Sequence, residues 1–191
     1  MAYHQRMILA VTGASGAIYG LRALQALKTL QFEVHLIMSQ VGAHVLTQET
    51  GISHSEIHAM ADFIHAADDL GAPIASGSFS TDGMLIIPCS IKTLSGVANS
   101  YAENLIQRAA DVCLKEGRPL LLAVRETPLH SGHLRLMLQA SQAGVILFPP
   151  IPSFYQQPKT IEDLVDATVG RMLARIGIQN DLYQPWGEDL P

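Results

Sequence analysis

Groups that could hold an anion or move a proton recur in this chain at one kind of place, directly after short apolar runs. Residues 84–87 are apolar and lead into Pro88-Cys89-Ser90-Ile91-Lys92-Thr93-Leu94-Ser95-Gly96, which offers three hydroxyls and one ammonium. A buried strand that ends in small polar residues and opens a helix is a natural anion cradle, because the first N–H groups of a helix lack intrahelical partners. Residues 7–11 lead in the same way into Thr12-Gly13-Ala14-Ser15-Gly16, and residues 34–38 end at Ser39. Residues 120–124 deliver Arg125-Glu126-Thr127-Pro128, and residues 145–148 deliver Pro149, Pro150, Ser153 and Tyr155. An arginine beside a glutamate at a strand end suits anion binding next to a proton-exchanging carboxylate. It equally suits a structural ion pair.

Each segment also has a plainer reading. The first loop lacks the G-x-G-x-x-G spacing of a dinucleotide site and the Lys-Ser/Thr of a Walker loop, so its glycines fit a tight turn. Ser15 and Ser39 are each placed to cap a following helix. Lys92 reads as a solvated lysine. Asp111 and Lys115 lie i,i+4 and could pair, and Arg171 could snorkel along a helix flank. Cys89 reads as a small buried residue, since no histidine partner is indicated nearby. His130 and His133 lie three apart near a helix start, but no acidic or sulfur ligand at diagnostic spacing accompanies them, so no metal site is expected.

The elements that must position these groups alternate. Strands are expected at 7–11, 34–38, 84–87, 120–124 and 145–148. Helices are expected at 18–30, 41–50, about 55–67, 94–98, 102–116, 134–143 and from Thr160 to near Gly177, the last opened by a capping box to Asp163. Apolar strands alternating with helices predict an α/β protein, with a mostly parallel sheet covered on both faces. In such sheets ligands bind beyond the C-terminal strand ends, where the polar segments fall. The whole chain, 1–191, reads as one domain, with a Pro-rich C-terminal arm (178–191) carrying Tyr183 and Trp186 and expected to dock on a neighbouring subunit.

Composition narrows the function. The 191 residues carry 12 Lys and Arg against 17 Asp and Glu, a net charge of −5, with no basic cluster, which argues against nucleic acid. Charged residues make up 15%, against about 25% in typical soluble domains, and mean hydropathy is +0.22. Yet no apolar run reaches the roughly 18 residues of a membrane span. The surplus apolar surface therefore predicts burial between subunits of a homo-oligomer. Two cysteines and no signal-peptide pattern predict a cytoplasmic protein.

With these segments in view, the chain resembles the UbiX-type flavin prenyltransferases over essentially its whole length. The resemblance rests on Thr12-Gly13-Ala14-Ser15-Gly16, on residues 88–95, on Asn104-Leu105-Ile106-Gln107-Arg108-Ala109-Ala110-Asp111, on Arg125-Glu126-Thr127-Pro128, and on Phe154-Tyr155 with Gln157-Pro158. It implies a three-layer Rossmann-like flavoprotein fold and a dodecamer with active sites shared between subunits. It further implies metal-independent joining of a dimethylallyl group, from dimethylallyl phosphate, to reduced FMN, giving the prenylated cofactor of UbiD-type decarboxylases. Carried over by motif, Gly13, Ala14 and Ser15 line the flavin, while Ser39, Ser90, Ile91, Lys92, Thr93 and Arg125 hold FMN. Tyr155, Arg171 and Lys115 contact the prenyl phosphate. Ser15 and Glu126 manage protons, and Glu49, Arg108 and Trp186 fall on matching positions with less defined roles. The alternatives are an FMN-dependent decarboxylase of cysteine-containing or phenolic acid substrates, and a non-catalytic FMN carrier.

Overall fold

The computed structural model describes residues 5–187. In chain order the elements are β1 (Arg6–Val11), α1 (Ala17–Thr29), β2 (Glu33–Met38), α2 (Gln40–Thr50), α3 (His54–Met60), β3 (Phe63–His65), a 3-10 turn (Pro73–Ala75), β4 (Gly83–Cys89), α4 (Ile91–Ala98), α5 (Leu105–Lys115), β5 (Leu120–Val124), α6 (Ser131–Gln142), β6 (Ile146–Leu147) and α7 (Ile161–Arg175). The six strands form one sheet in the order β3-β2-β1-β4-β5-β6, and every adjacent pair is parallel. The expected α/β class and parallel sheet are thus present.

The period-two alternation of the strands divides the core. Met7, Leu9 and Val11 face a cluster with Leu24 and Leu27 of α1, Ile57 of α3 and Val169 of α7. Ile8 and Ala10 face the opposite cluster, with Leu94 of α4, Ile106 and Ala109 of α5 and Ala140 of α6. Because β1, β4 and β5 are covered on both faces, they read as unbroken apolar runs. At Gly20, α1 lies so close to the sheet that a side chain would overlap the Ile87 carbonyl oxygen.

The expected helix at 55–67 is the main correction. The helix ends at Met60, and Phe63, Ile64 and His65 instead pair with β2. Asp62 turns the chain: its carboxylate accepts the Val34 N–H at 2.7 Å and is bound by Lys28 Nζ at 2.5 Å. At this edge His35 Nε2 lies 3.1 Å from Glu33 Oε1, and His35 Nδ1 lies 2.9 Å from His65 Nε2. With Glu33 accepting, His35 carries its proton on Nε2 and accepts from His65. The expected helix at 102–116 is trimmed to 105–115, because Asn104 caps it by accepting the Gln107 N–H. The capping box of Thr160 and Asp163 is formed in both directions. No helix among the described residues is long and apolar enough to cross a membrane.

Candidate active site

The strand order reverses between β1 and β4, so a crevice opens there at the C-terminal edge. The loops after β2, β1, β4 and β5 lie side by side along this edge and are laced together. Ser39 N–H donates to Val11 O at 3.0 Å, and Arg125 N–H donates to Cys89 O at 3.1 Å. Between them, Thr12 ties β1 to β4. Its hydroxyl donates to Pro88 O at 2.8 Å and accepts the Ser90 N–H at 2.8 Å. At about 4.8 Å per strand, these four ends span roughly 14 Å.

The first loop presents the Ser15 hydroxyl to solvent, with no partner among the described residues. Ser15 is not the cap of α1. That position belongs to Gly16 at φ +98°, a left-handed conformation that glycine adopts freely. The capping acceptor comes instead from α2. The Glu49 carboxylate accepts the Gly16 N–H at 3.0 Å and the Ala17 N–H at 2.8 Å, so a negative charge sits on the positive end of the α1 dipole. Gly13 packs against Val41, and Ala14 is buried. Ser39 does cap α2, accepting the Gly42 N–H at 3.0 Å.

Ser90 caps α4 through the Thr93 N–H, with the Ser90 and Thr93 hydroxyls 3.2 Å apart. This leaves the N–H groups of Ile91 and Lys92 without acceptors among the described residues. The Lys92 ammonium turns away to Glu103, 3.4 Å distant. Its backbone, rather than its charge, is what faces the crevice. Arg125 and Glu126 are both exposed and make no ion pair among the described residues, so the structural-pair reading fails here. Glu126 Oε1 accepts only its neighbour's N–H, from Thr127 at 3.0 Å. Donors without acceptors beside a spare carboxylate are a complement to a bound phosphate and a transferable proton.

A second cluster lies beyond β6. Tyr155 OH donates to Gln184 O at 3.0 Å, and the Tyr155 ring meets Trp186 edge-on at 5.3 Å. Arg171 does not merely snorkel: its guanidinium lies 5.4 Å from the centre of the Tyr183 ring. These contacts hold the C-terminal arm, as far as residue 187, on its own chain. Asn180 adds two hydrogen bonds from Nδ2, to Gly170 O at 3.0 Å and Ile178 O at 3.1 Å. Residues 188–191 of the expected docking arm lie outside the described residues. Asn180 and Gln184 were not singled out from the sequence, because their partners lie in α7 and at 155–156, which only folding brings near.

Lys115 and Arg108 stand apart from both clusters. Lys115 ends α5 near the start of β5, about 16 Å of strand from Arg125. It pairs with Glu116 and not, as its spacing suggested, with Asp111. Asp111 is taken by Arg108 at 3.0 Å, and Arg108 also donates to Ala75 O at 3.1 Å. His130 caps α6, its Nδ1 accepting the Gly132 N–H at 3.0 Å, and its ring lies against His133 at a tilt of 33°, with centroids 3.6 Å apart. No group of three or more metal-ligating side chains occurs among the described residues. Burial pushes the Cys89 thiol far above its ordinary range and the Cys113 thiol up to about 12, so neither is a nucleophile at neutral pH.

Comparison with known proteins decides among flavoprotein chemistries. A family described as Flavoprotein matches residues 1–173. The flavin prenyltransferase UbiX of Escherichia coli is 52% identical over 185 residues, covering 95% of this chain and 98% of the relative. The chain belongs to the UbiX family of flavin prenyltransferases. Two solved UbiX-type structures match its fold. One is AnUbiX in complex with FMN and dimethylallyl pyrophosphate, with a TM-score of 0.95, 44% identity, and coverage of 97% of this chain and 98% of that one. The other is a dodecameric FMN-dependent UbiX-like decarboxylase from Escherichia coli, with a TM-score of 0.93, 45% identity, and coverage of 95% and 99%.

Proposed function

We propose that the protein transfers a dimethylallyl group from a dimethylallyl phosphate to reduced FMN, making the prenylated flavin that UbiD-type decarboxylases use. The observation that carries this reading is the crevice edge itself. Two helix N–H groups at the end of β4, beside the sheet's switch point, neighbour Arg125 and Glu126 at the end of β5, and none of these groups has an ion-pair or acceptor partner across the crevice among the described residues. When bound, reduced FMN supplies the electron-rich ring that accepts the prenyl group.

The chain's residues do the rest. The Ile91 and Lys92 N–H groups, the Ser39, Ser90 and Thr93 hydroxyls and the Arg125 guanidinium hold the FMN phosphate. Gly13, Ala14 and Ser15 line the ring, the first two presenting little bulk. Breaking an allylic C–O bond demands stabilisation of the departing phosphate, and Tyr155, Arg171 and Lys115 provide it as hydrogen-bond donors and cations. That is the charge a divalent metal supplies in other prenyl transfers. Glu126 donates a proton to the leaving phosphate and then accepts the proton released on ring closure. Ser15 shuttles protons beside it. Lys115 lies at the opposite end of β5 from Arg125, and Arg108 is engaged by Asp111 and Ala75, so both serve a neighbouring copy's site in a dodecamer. Exposed Leu134, Leu138, Ile151 and Phe154 fit burial in such an assembly. Cytoplasmic residence is part of the same proposal.

The test is anaerobic incubation with reduced FMN and dimethylallyl monophosphate or diphosphate, followed by mass spectrometry of the released flavin. A flavin heavier by one five-carbon prenyl unit is expected. Flavin recovered unmodified with both donors would overturn the reading.

A further inference from the structure

We infer that Thr12 is a positioning residue for the flavin phosphate, acting through its side-chain hydroxyl rather than its shape. The inference rests on the proposed phosphate site at residues 90–93. Thr12 lies at the switch point, 1% exposed, and cannot itself touch a ligand in the crevice. Its hydroxyl is used in both directions, donating to Pro88 O and accepting the Ser90 N–H, each at 2.8 Å. Its own N–H also reaches Pro88 O, at 3.2 Å, and its carbonyl accepts the Ala14 N–H at 2.9 Å. One residue therefore joins the loop that lines the ring to the turn that binds the phosphate.

The bond to the Ser90 N–H matters most. Ser90 is the N-cap of α4, with φ −76° and ψ 158°, and its backbone orientation sets the direction of the next two N–H groups. Thr12 occupies the cap's own N–H, so Ile91 and Lys92 alone point to the phosphate, at an angle set from β1. Without the hydroxyl, Pro88 O keeps only the Thr12 N–H, and the Ser90 N–H loses its acceptor and stays unpaired or rotates to find water. Either outcome misdirects the donors. The hydroxyl's two bonds reach only Pro88 and Ser90, whereas the tie to the ring-lining loop runs through the Thr12 carbonyl, which a side-chain substitution keeps, so the effect of losing the hydroxyl falls on the phosphate end.

The experiment compares FMN with riboflavin, which lacks the phosphate, by fluorescence titration of wild type, Thr12→Val and Thr12→Ser. Thr12→Val keeps the side-chain volume and removes the hydroxyl. It is expected to weaken FMN about tenfold, the order of one lost hydrogen bond, while leaving riboflavin affinity unchanged. Thr12→Ser restores FMN binding to near wild type. Thr12→Ala reads the same difference should the valine variant fail to fold. Thr12→Val retaining the wild-type preference for FMN would overturn the inference alone, as would equal weakening of both ligands. A wild-type protein with no preference for FMN would overturn the phosphate site itself and the inference with it.

Discussion

Replacing Gly20 with alanine sets two effects against each other. In a helix interior, alanine is favoured over glycine by about 1 kcal/mol. At this position, however, the new methyl would meet backbone. It would stand 3.2 Å from Val11 Cγ2 and 3.3 Å from the Ile87 carbonyl carbon, with the Ile87 oxygen closer still. Those atoms belong to the two central strands, which are paired on both sides and cannot yield. Relief requires α1 to move off the sheet by something near 1 Å, carrying with it the buried Leu21, Leu24 and Leu27. Overpacking of this kind costs about 1–3 kcal/mol, and the overlap with the Ile87 backbone oxygen puts this site in the upper half, about 2–3 kcal/mol, so the expected net loss is about 1–2 kcal/mol after the helix gain. For a domain of this size, that is a fall in Tm of about 2–8 °C. Ile87 precedes Pro88, the residue that Thr12 grips, so FMN affinity should fall as well. The assay is thermal unfolding at fixed protein concentration, with and without FMN, since assembly contributes to apparent stability. A variant as stable as wild type, or more so, would show that helix propensity dominates and that α1 is not wedged against β4.

The other predictions address separate parts of the chain. Glu126→Gln should bind FMN normally and lose prenyl transfer by about 10²–10⁴-fold, the usual worth of a general acid–base group; unchanged turnover removes Glu126 from the chemistry. Glu49→Ala should cost about 1–2 kcal/mol in urea unfolding, because it strips the α1 N-terminus of an acceptor and a countercharge; unaltered stability would mean the cap is replaced by water at no cost. Burial, and then the neighbouring His35, hold the proton affinity of His65 below that of an ordinary histidine, although Asp69 opposes them. The unfolded chain therefore takes up that proton first. Stability should be fully present above about pH 6.5 and decline as pH falls toward the lower folded-state value. His65→Gln should flatten that slope in urea unfolding series, and an unaltered slope would refute the assignment.

The sheet was legible because burial on both faces writes itself into composition: residues 7–11, 84–87 and 120–124 have nowhere to be except the interior. Strand β3 was not legible. Phe63, Ile64 and His65 form a three-residue edge, with Phe63 and Ile64 half-exposed, and their pairing depends on Asp62 finding Val34 and Lys28 across a gap in sequence. Helix ends set by side-chain caps at Ser39 and Thr160 follow from neighbours within three residues and were readable as local chemistry, whereas α4 starts at Ile91, three residues before the expected 94, because Ser90 caps it. The α1 cap was not, because its acceptor, Glu49, lies 33 residues away from Gly16.

The sequence by itself determined which groups are available at each strand end, since a strand's exit loop is contiguous with the strand. It also determined the family, through five short motifs in order. Only the tertiary structure decided which of those groups face one another. The order β3-β2-β1-β4-β5-β6 sets the first loop beside residues 90–93 and Arg125, and it leaves Lys115 at the far end of its own sheet. Which polar residues are engaged by the fold was likewise decided in three dimensions. Glu49 is taken up by the backbone N–H groups of Gly16 and Ala17, while Arg125, Glu126 and Ser15 find no side-chain partner among the described residues. The physical reason is that a hydrogen bond is a matter of angstroms, and separation along the chain says little about separation in space once a parallel sheet has folded.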